Sequence, residues 1–290
     1  RPPRSTLFPY TTLFRSEELS GPKRLMIAPG DHATQELFGA AGLPSEVWES
    51  LADWMDHHLK GEENGIDTDD PVHLKPNNGR GDWASYPDWP SAAGNTEQYY
   101  LGEPTADRPI RPSNGPMQAE PATDWGRDFR AGIGTIARSG TVMLSGALQQ
   151  FFDVPTGVSL PLVDRRRSAV WTGPEYPDGV RVSGTPEATF TFTPTTEEQS
   201  VFVYLYSINR HGTGALVSHA PLTLRDAEPG EPVTVETALN PVVWDVPAGH
   251  RLAVVVDSKD LRYTSESRVG DTVTVTSPEE SPTRITIPFA

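Results

Sequence analysis

Residues 201–208 read VFVYLYSI, apolar at odd and even positions alike. A strand with one wet face alternates; one that is apolar on both faces must be covered twice, so it belongs at the centre of a sheet with packed material on either side. Around it lie shorter segments with strand character. Residues 188–193 (ATFTFT) put Ala188, Phe190 and Phe192 on one face, and residues 233–237, 252–257, 272–276 and 283–287 are rich in Val, Thr or Ile. Residues 141–144 (TVML) read as another short apolar strand. Asp178-Gly179, Ser183-Gly184, Pro229-Gly230 and Ala248-Gly249 punctuate them as turn signals. Many short strands and no helical period after about Gly140 predict an all-β sandwich of jelly-roll type.

The preceding part has a different rhythm. Residues 23–28 (KRLMIA) are short and apolar enough for a buried strand, and Pro29-Gly30-Asp31 then signals a turn that leads to His32. A helix follows. Ser45 is a suitable N-cap, Glu46 and Glu49 suit the positive end of the helix dipole, and Val47, Trp48, Leu51, Trp54, Met55 and Leu59 recur at three- and four-residue spacing. His57, His58 and Lys60 occupy the last turn, and Gly61 supplies the stop. Strand, histidine loop and helix make an α/β unit. Residues 62–70 read as an acidic surface loop, 71–75 as a short strand, and 91–128, rich in Pro, Gly, Asn and Thr, as an extended connection between domains.

Composition removes several functions. With no cysteine, the chain has no disulfide framework, zinc–thiolate site or catalytic thiol. A formal charge of −15 argues against nucleic acid, whose phosphates it would repel. The densest apolar run, residues 252–256, is far short of the roughly 20 residues that cross a bilayer, so no membrane partner is expected. The compartment stays open, because a cysteine-free chain suits the cytosol and export equally.

Residues 1–16 stand apart. They contain no acidic residue in an acidic chain, and 6–16 (TLFPYTTLFRS) resemble the in-frame translation of a sequencing-adapter oligonucleotide. They are read as non-native and excluded from fold reasoning. On that reading the natural protein begins upstream of Glu17, and this chain is the C-terminal part of a longer one.

From Glu17 onward the chain resembles the C-terminal part of the X-Pro dipeptidyl-peptidase and cocaine-esterase-like (acyl esterase) hydrolases. The segments that carry the resemblance occur in order: 24–32 (RLMIAPGDH), 48–61 (WESLADWMDHHLKG), Pro71-Val72 with Trp83 and Trp89-Pro90, 99–101, 181–186 (RVSGTP) and 247–255 (PAGHRLAVV). The resemblance implies that residues 17–92 are the C-terminal part of an α/β-hydrolase catalytic domain. Residues 93–290 would be a connection plus a non-catalytic jelly-roll sandwich. It also implies a Ser-His-Asp triad with His32 as general base, and no metal or organic cofactor. The substrate would be a small peptide or an ester, and a homo-oligomer is allowed. In such folds the order is Ser, then acid, then His. The chain contains no G-x-S-x-G elbow, so serine and acid would lie upstream, and the chain alone should be inactive. The family loop often carries Trp where this chain has Gly30, and Asp31, adjacent to His32, is not read as the triad acid.

Other candidates read more plainly as structure. His57 and His58 complement the helix dipole, and neighbours about 100° apart on a helix do not readily chelate one ion. His250 is structural, His211 and His219 are loop residues of the sandwich, and residues 165–167 (RRR) form a surface turn. Residues 62–70 lack the ligand order of an EF-hand, Arg80-Gly81-Asp82 is a chance tripeptide, and Trp83 and Trp89 pack the domain junction. Two functional classes remain: part of a serine hydrolase, or a non-enzymatic jelly-roll module that binds carbohydrate or protein. Only the first uses residues 23–61.

Overall fold

The computed structural model describes residues 19–30, 34–78, 81–104 and 114–290. The chain opens with β1 (Leu25–Ile27), then α1 (Thr34–Ala40) and α2 (Glu46–Met55). β1 pairs parallel with β2 (Val72–Leu74), and β3 (Ala84–Tyr86) closes this small sheet antiparallel, with the short α3 (Trp89–Ala92) after it. α2 begins as its sequence predicts. Ser45 is extended and its Oγ accepts the Trp48 N–H at 3.3 Å, which satisfies a donor that the first turn leaves free. The last turn widens over Asp56–Lys60, with the Gly61 N–H reaching both Asp56 O and His57 O, and Gly61 ends it at φ +75°. The expected apolar face is not covered, however. No residue of α2 is buried, and Trp48, Leu51 and Met55 stay exposed.

The larger unit is a two-layer β-sandwich. One layer contains β6 (Trp125–Arg130), β16 (Thr272–Ser277), β10 (Glu187–Pro194), β17 (Arg284–Phe289) and β4 (Asn95–Leu101), with β13 (Val233–Ala238) on β10, and β9 (Val180–Gly184) pairing with β17 and with β14 (Val242–Val246). The other contains β5 (Gly115–Gln118), β8 (Ser168–Tyr176), β15 (His250–Asp257), β11 (Gln199–Ile208), β12 (Thr213–Leu224) and β7 (Gly157–Ser159). A short β4–β5 pairing joins the layers. Phe190, Phe192 and Val182 from the first layer meet Trp171, Val203 and Leu205 from the second in one core.

β11 is the doubly covered strand that its sequence demands. All ten of its residues are buried. Val201, Val203 and Leu205 face the inter-layer core, while Phe202, Tyr204, Tyr206 and Ile208 face a second cluster with Ala137, Val158, Leu160 and Val163. Between Ala137 and Val158 of that cluster the chain forms α4 (Leu144–Phe152). Residues 141–144 are therefore not a strand: they are a turn and the start of α4, and a helix does occur after Gly140. Nor is 91–128 a mere connection, since it supplies β4, β5 and β6, which pair with β17, β8 and β16.

The small sheet docks on the sandwich through Leu25, Val72, Leu74 and Ala92 against Val243 of β14, with Trp89 packed alongside. Asn77 N–H donates to Val243 O at 2.7 Å and Ser183 Oγ donates to Ala92 O at 2.6 Å. Trp89 thus packs the junction as expected. Trp83 does not: its Nε1 donates to Glu46 at 3.0 Å and its ring lies under Lys75.

Candidate functional site

β1 delivers the chain to a cleft of about 570 Å³. Ile27, Ala28 and Gly30 line one side of it, and Gly30 turns the backbone at φ +137°, where a residue with Cβ is strained. His32 lies outside the described residues, as do Asp31, Arg80 and residues 1–16.

The opposite wall belongs to the sandwich. Ser145, Gly146 and Gln149 reach the cleft from α4, and Leu216, Val217, Ser218 and His219 from β12. Asn240, Arg262 and Tyr263 complete that wall, and Ser139 sits on it too. The Gln149 amide donates to Asn77 O, tying α4 to the segment after β2.

His219 is not a loop residue. It lies within β12, 7% exposed, with Nε2 2.8 Å from the Tyr263 hydroxyl and Nδ1 3.3 Å from Asn240 Nδ2. Burial is the main reason that its pKa falls to about 4, with Arg262 adding to the effect, so the ring is neutral at physiological pH. Sequence reasoning missed this residue because Ser218-His219-Ala220 offers no motif. The available signal was the strand character of 213–224 on either side of it.

Behind this wall lies a buried acid–phenol network. Asp260 accepts from Ser139 N–H at 2.6 Å, Ser139 Oγ at 2.8 Å and Arg262 N–H at 2.7 Å. Asp257 accepts from Thr135 Oγ1 at 2.8 Å. The network holds residues 135–139 and 257–262, so that Ser139 and Arg262, with the adjoining Tyr263, line the cleft.

The remaining sequence candidates fall away from it. His57 Nδ1 lies 2.8 Å from Glu62 O and Nε2 lies 3.5 Å from Asp67, while the His58 ring packs on Trp54. His250 Nδ1 pairs with Ser207 Oγ at 3.2 Å, and His211 lies exposed in the turn after β11. Arg165 corrects the reading of 165–167 as a surface turn. It is 6% exposed and holds Leu160 O, Val163 O and Asn114 Oδ1 together. Residues 62–70 are mostly exposed, and among the described residues no cluster of His, Asp and Glu is arranged to hold a metal ion.

The family model of the X-Pro dipeptidyl-peptidase C-terminal non-catalytic domain matches residues 64–288. A Mycobacterium bovis protein that bears the name of a serine esterase is 29% identical over 182 residues, 59% of this chain and 25% of that one. The match thus spans about a quarter of that curated relative. Solved structures share the fold at low identity. A CocE/NonD family hydrolase from Staphylococcus aureus superposes with a TM-score of 0.64 at 13% identity, over 93% of this chain and 49% of its own. An aminopeptidase from a marine-sediment Thaumarchaeota archaeon gives 0.66 at 15%, over 97% and 51%. An α-amino acid ester hydrolase gives 0.65 at 14%, over 97% and 52%. With more than half of its length matched by the family model, the chain belongs to the X-Pro dipeptidyl-peptidase C-terminal non-catalytic domain family.

Proposed function

We propose that this chain is the C-terminal portion of a serine hydrolase of the acyl-esterase or X-Pro dipeptidyl-peptidase type. Residues 17–92 would complete the α/β-hydrolase domain, and residues 93–290 would form its jelly-roll partner. The observation that carries the proposal is the shared cleft: the strand that leads to His32 ends on the same cavity as α4 and β12 of the sandwich. Family membership and the serine-esterase name of the M. bovis relative support it.

In this reading an upstream serine hydroxyl attacks the carbonyl carbon of a small ester or peptide, and His32 takes its proton. His32 then passes that proton to the leaving alcohol or amine as the carbonyl–heteroatom bond breaks, and water, deprotonated by the same ring, releases the acid. An upstream carboxylate orients the imidazole. The sandwich wall shapes the entrance to the site. No cofactor is required.

The test is the parent protein with its upstream region restored. His32→Ala should lower ester or dipeptidyl-amide hydrolysis by several powers of ten, as triad losses do. Hydrolysis retained at the parental rate would remove His32 from the site. An upstream sequence that lacks a nucleophile elbow followed by an acid would remove the class.

A further inference from the structure

Three asparagines in the chain are followed by glycine: Asn64-Gly65, Asn78-Gly79 and Asn114-Gly115. In such a pair the glycine nitrogen can attack the asparagine side-chain carbonyl carbon, because no Cβ on the second residue blocks the approach. The fold treats the three pairs differently. Asn114 Oδ1 is held by Nε and Nη2 of Arg165 at 3.1 and 2.7 Å. Gly115 is buried in β5, where a Cβ would overlap Gly102 O and the Trp171 indole. Asn78 keeps its amide nitrogen on Asp245 O at 2.8 Å and its side-chain oxygen buried, and Gly79 lies outside the described residues.

Asn64 and Gly65 are both exposed. Asn64 Oδ1 accepts the Ile66 N–H at 3.2 Å. This Asx turn folds the side-chain carbonyl back over the Gly65 peptide unit. It also leaves an N–H donor on the oxygen that becomes negative when Cγ is attacked. Thr68 donates to Gly65 O from its N–H at 3.1 Å and its Oγ1 at 2.7 Å. The Gly65 N–H donates to no group among the described residues, so the attacking nitrogen is not spent on another bond. Asn64 Nδ2 donates to Asp53 O at 2.7 Å, which ties the acidic loop to α2.

We propose that Asn64 is a modification site at which the chain converts itself to isoaspartate, with water as the only co-reactant, and so releases its acidic loop from α2. Gly65 N bonds to Asn64 Cγ, the Cγ–Nδ2 bond breaks, and ammonia leaves with the proton given up by the Gly65 nitrogen. Water then opens the five-membered imide. Attack on the backbone carbonyl gives isoaspartate, and attack on Cγ gives aspartate. Either product puts a carboxylate where an amide donated to Asp53 O. Two acceptors then face each other at the negative end of the α2 dipole, with Glu62 and Glu63 adjoining in sequence. The proposal uses neither His32 nor the cleft, so it stands or falls apart from the acyl-transfer reading.

The experiment incubates the whole chain in mildly alkaline buffer, native and in guanidinium chloride, and follows it by peptide mass spectrometry that separates isoaspartate from aspartate. Folding should slow conversion at Asn64 by less than about tenfold and at Asn114 by more, since only Asn114 must first break a charged hydrogen-bonded fork. Asn64→Gln keeps the amide, moves its carbonyl one methylene further out, and should abolish conversion at that position. Asn64→Asp carries the charge of the product from the start. In it, amide exchange at Ile66 and Thr68 should quicken by about tenfold or more, the scale of one lost hydrogen bond, while Val203 keeps its protection. No conversion at Asn64 in the native chain, a slowing there of about tenfold or more, equal slowing at Asn64 and Asn114, or unchanged exchange at Ile66 and Thr68 in Asn64→Asp would each overturn the proposal.

Discussion

The hydroxyl of Tyr204 donates to Asp260 Oδ2 at 2.9 Å, on a strand whose side chain is wholly enclosed. The same hydroxyl lies 3.3 Å from Asp257 Oδ1, so one phenol stands between two buried carboxyl groups. Burial raises Asp257 from 3.8 to about 7, against the opposing effect of the Thr135 hydrogen bond, and the charge of Asp260 adds to the rise.

That shift fixes a sign. A carboxyl with a raised native pKa favours the folded state while protonated in both states, and loses that contribution as pH climbs from about 4 through 7. Asp257→Asn imitates the protonated acid at every pH. The stability of the unmutated chain relative to Asp257→Asn should therefore fall by roughly 3–4 kcal/mol between pH 4 and pH 7. Paired denaturant titrations across that range measure it. A pH-independent difference would show that Asp257 titrates at its ordinary value.

Arg165 clamps two segments, through three acceptor groups, from a buried position. Nε and Nη2 both reach Asn114 Oδ1, at 3.1 and 2.7 Å, and Nη1 reaches Leu160 O and Val163 O at 2.9 and 2.6 Å. A lysine ammonium is a compact point donor and cannot reproduce that planar fork. Arg165→Lys should lose about 2–3 kcal/mol of unfolding free energy, from carbonyls left without donors. An equal change at its exposed neighbour Arg166 should cost well under 1 kcal/mol. Equal losses at the two positions would contradict the clamp.

Gly39 sits inside α1, where alanine would ordinarily help by about 1 kcal/mol. A Cβ built there overlaps the indole of Trp48. Gly39→Ala should therefore reverse the usual sign and cost about 1–3 kcal/mol by forcing α1 and α2 apart. Thermal unfolding of Gly39→Ala, with Trp48→Ala and the double variant, closes the cycle. The alanine should become neutral or favourable once the indole is gone.

These residues also show what the sequence could and could not say. Ser45, the acidic first turn and Gly61 are local signals, and α2 starts and ends on them. The apolar run of β11 revealed its two covered faces because both of its periods are filled. Periodicity cannot tell whether an apolar helical face has a neighbour, so the exposure of Trp48, Leu51 and Met55 was not legible. Leu144, Leu148 and Phe151 do recur at helical spacing, and that signal was there to be read as α4. β4, β5 and β6 are held by partners up to about two hundred residues away, so their Pro- and Gly-rich sequence looked like a linker. His219 is enclosed beside Tyr263 and Asn240, and Arg165 reaches Asn114, Leu160 and Val163, contacts that no local period announces.

The small sheet rests on few buried side chains, and Leu74 is the most enclosed of them at 1% exposure. It packs with Leu25, Val72, Ala92 and Val243, while the backbone hydrogen bonds from Leu25 N–H to Pro71 O and from Lys75 N–H to Ile27 O fasten β1 to the β2 segment. Leu74→Ala removes a side chain from a cluster with no second layer to collapse inward, at a cost of about 2–5 kcal/mol. The sandwich has its own, far larger core. Amide exchange should therefore quicken at Leu25 and Lys75 by two orders of magnitude or more, while Val203 and Val254 keep their protection. Equal loss at Val203 and Val254 would mean that sheet and sandwich open as one cooperative unit, and that β1 cannot loosen at the cleft without unfolding the whole chain.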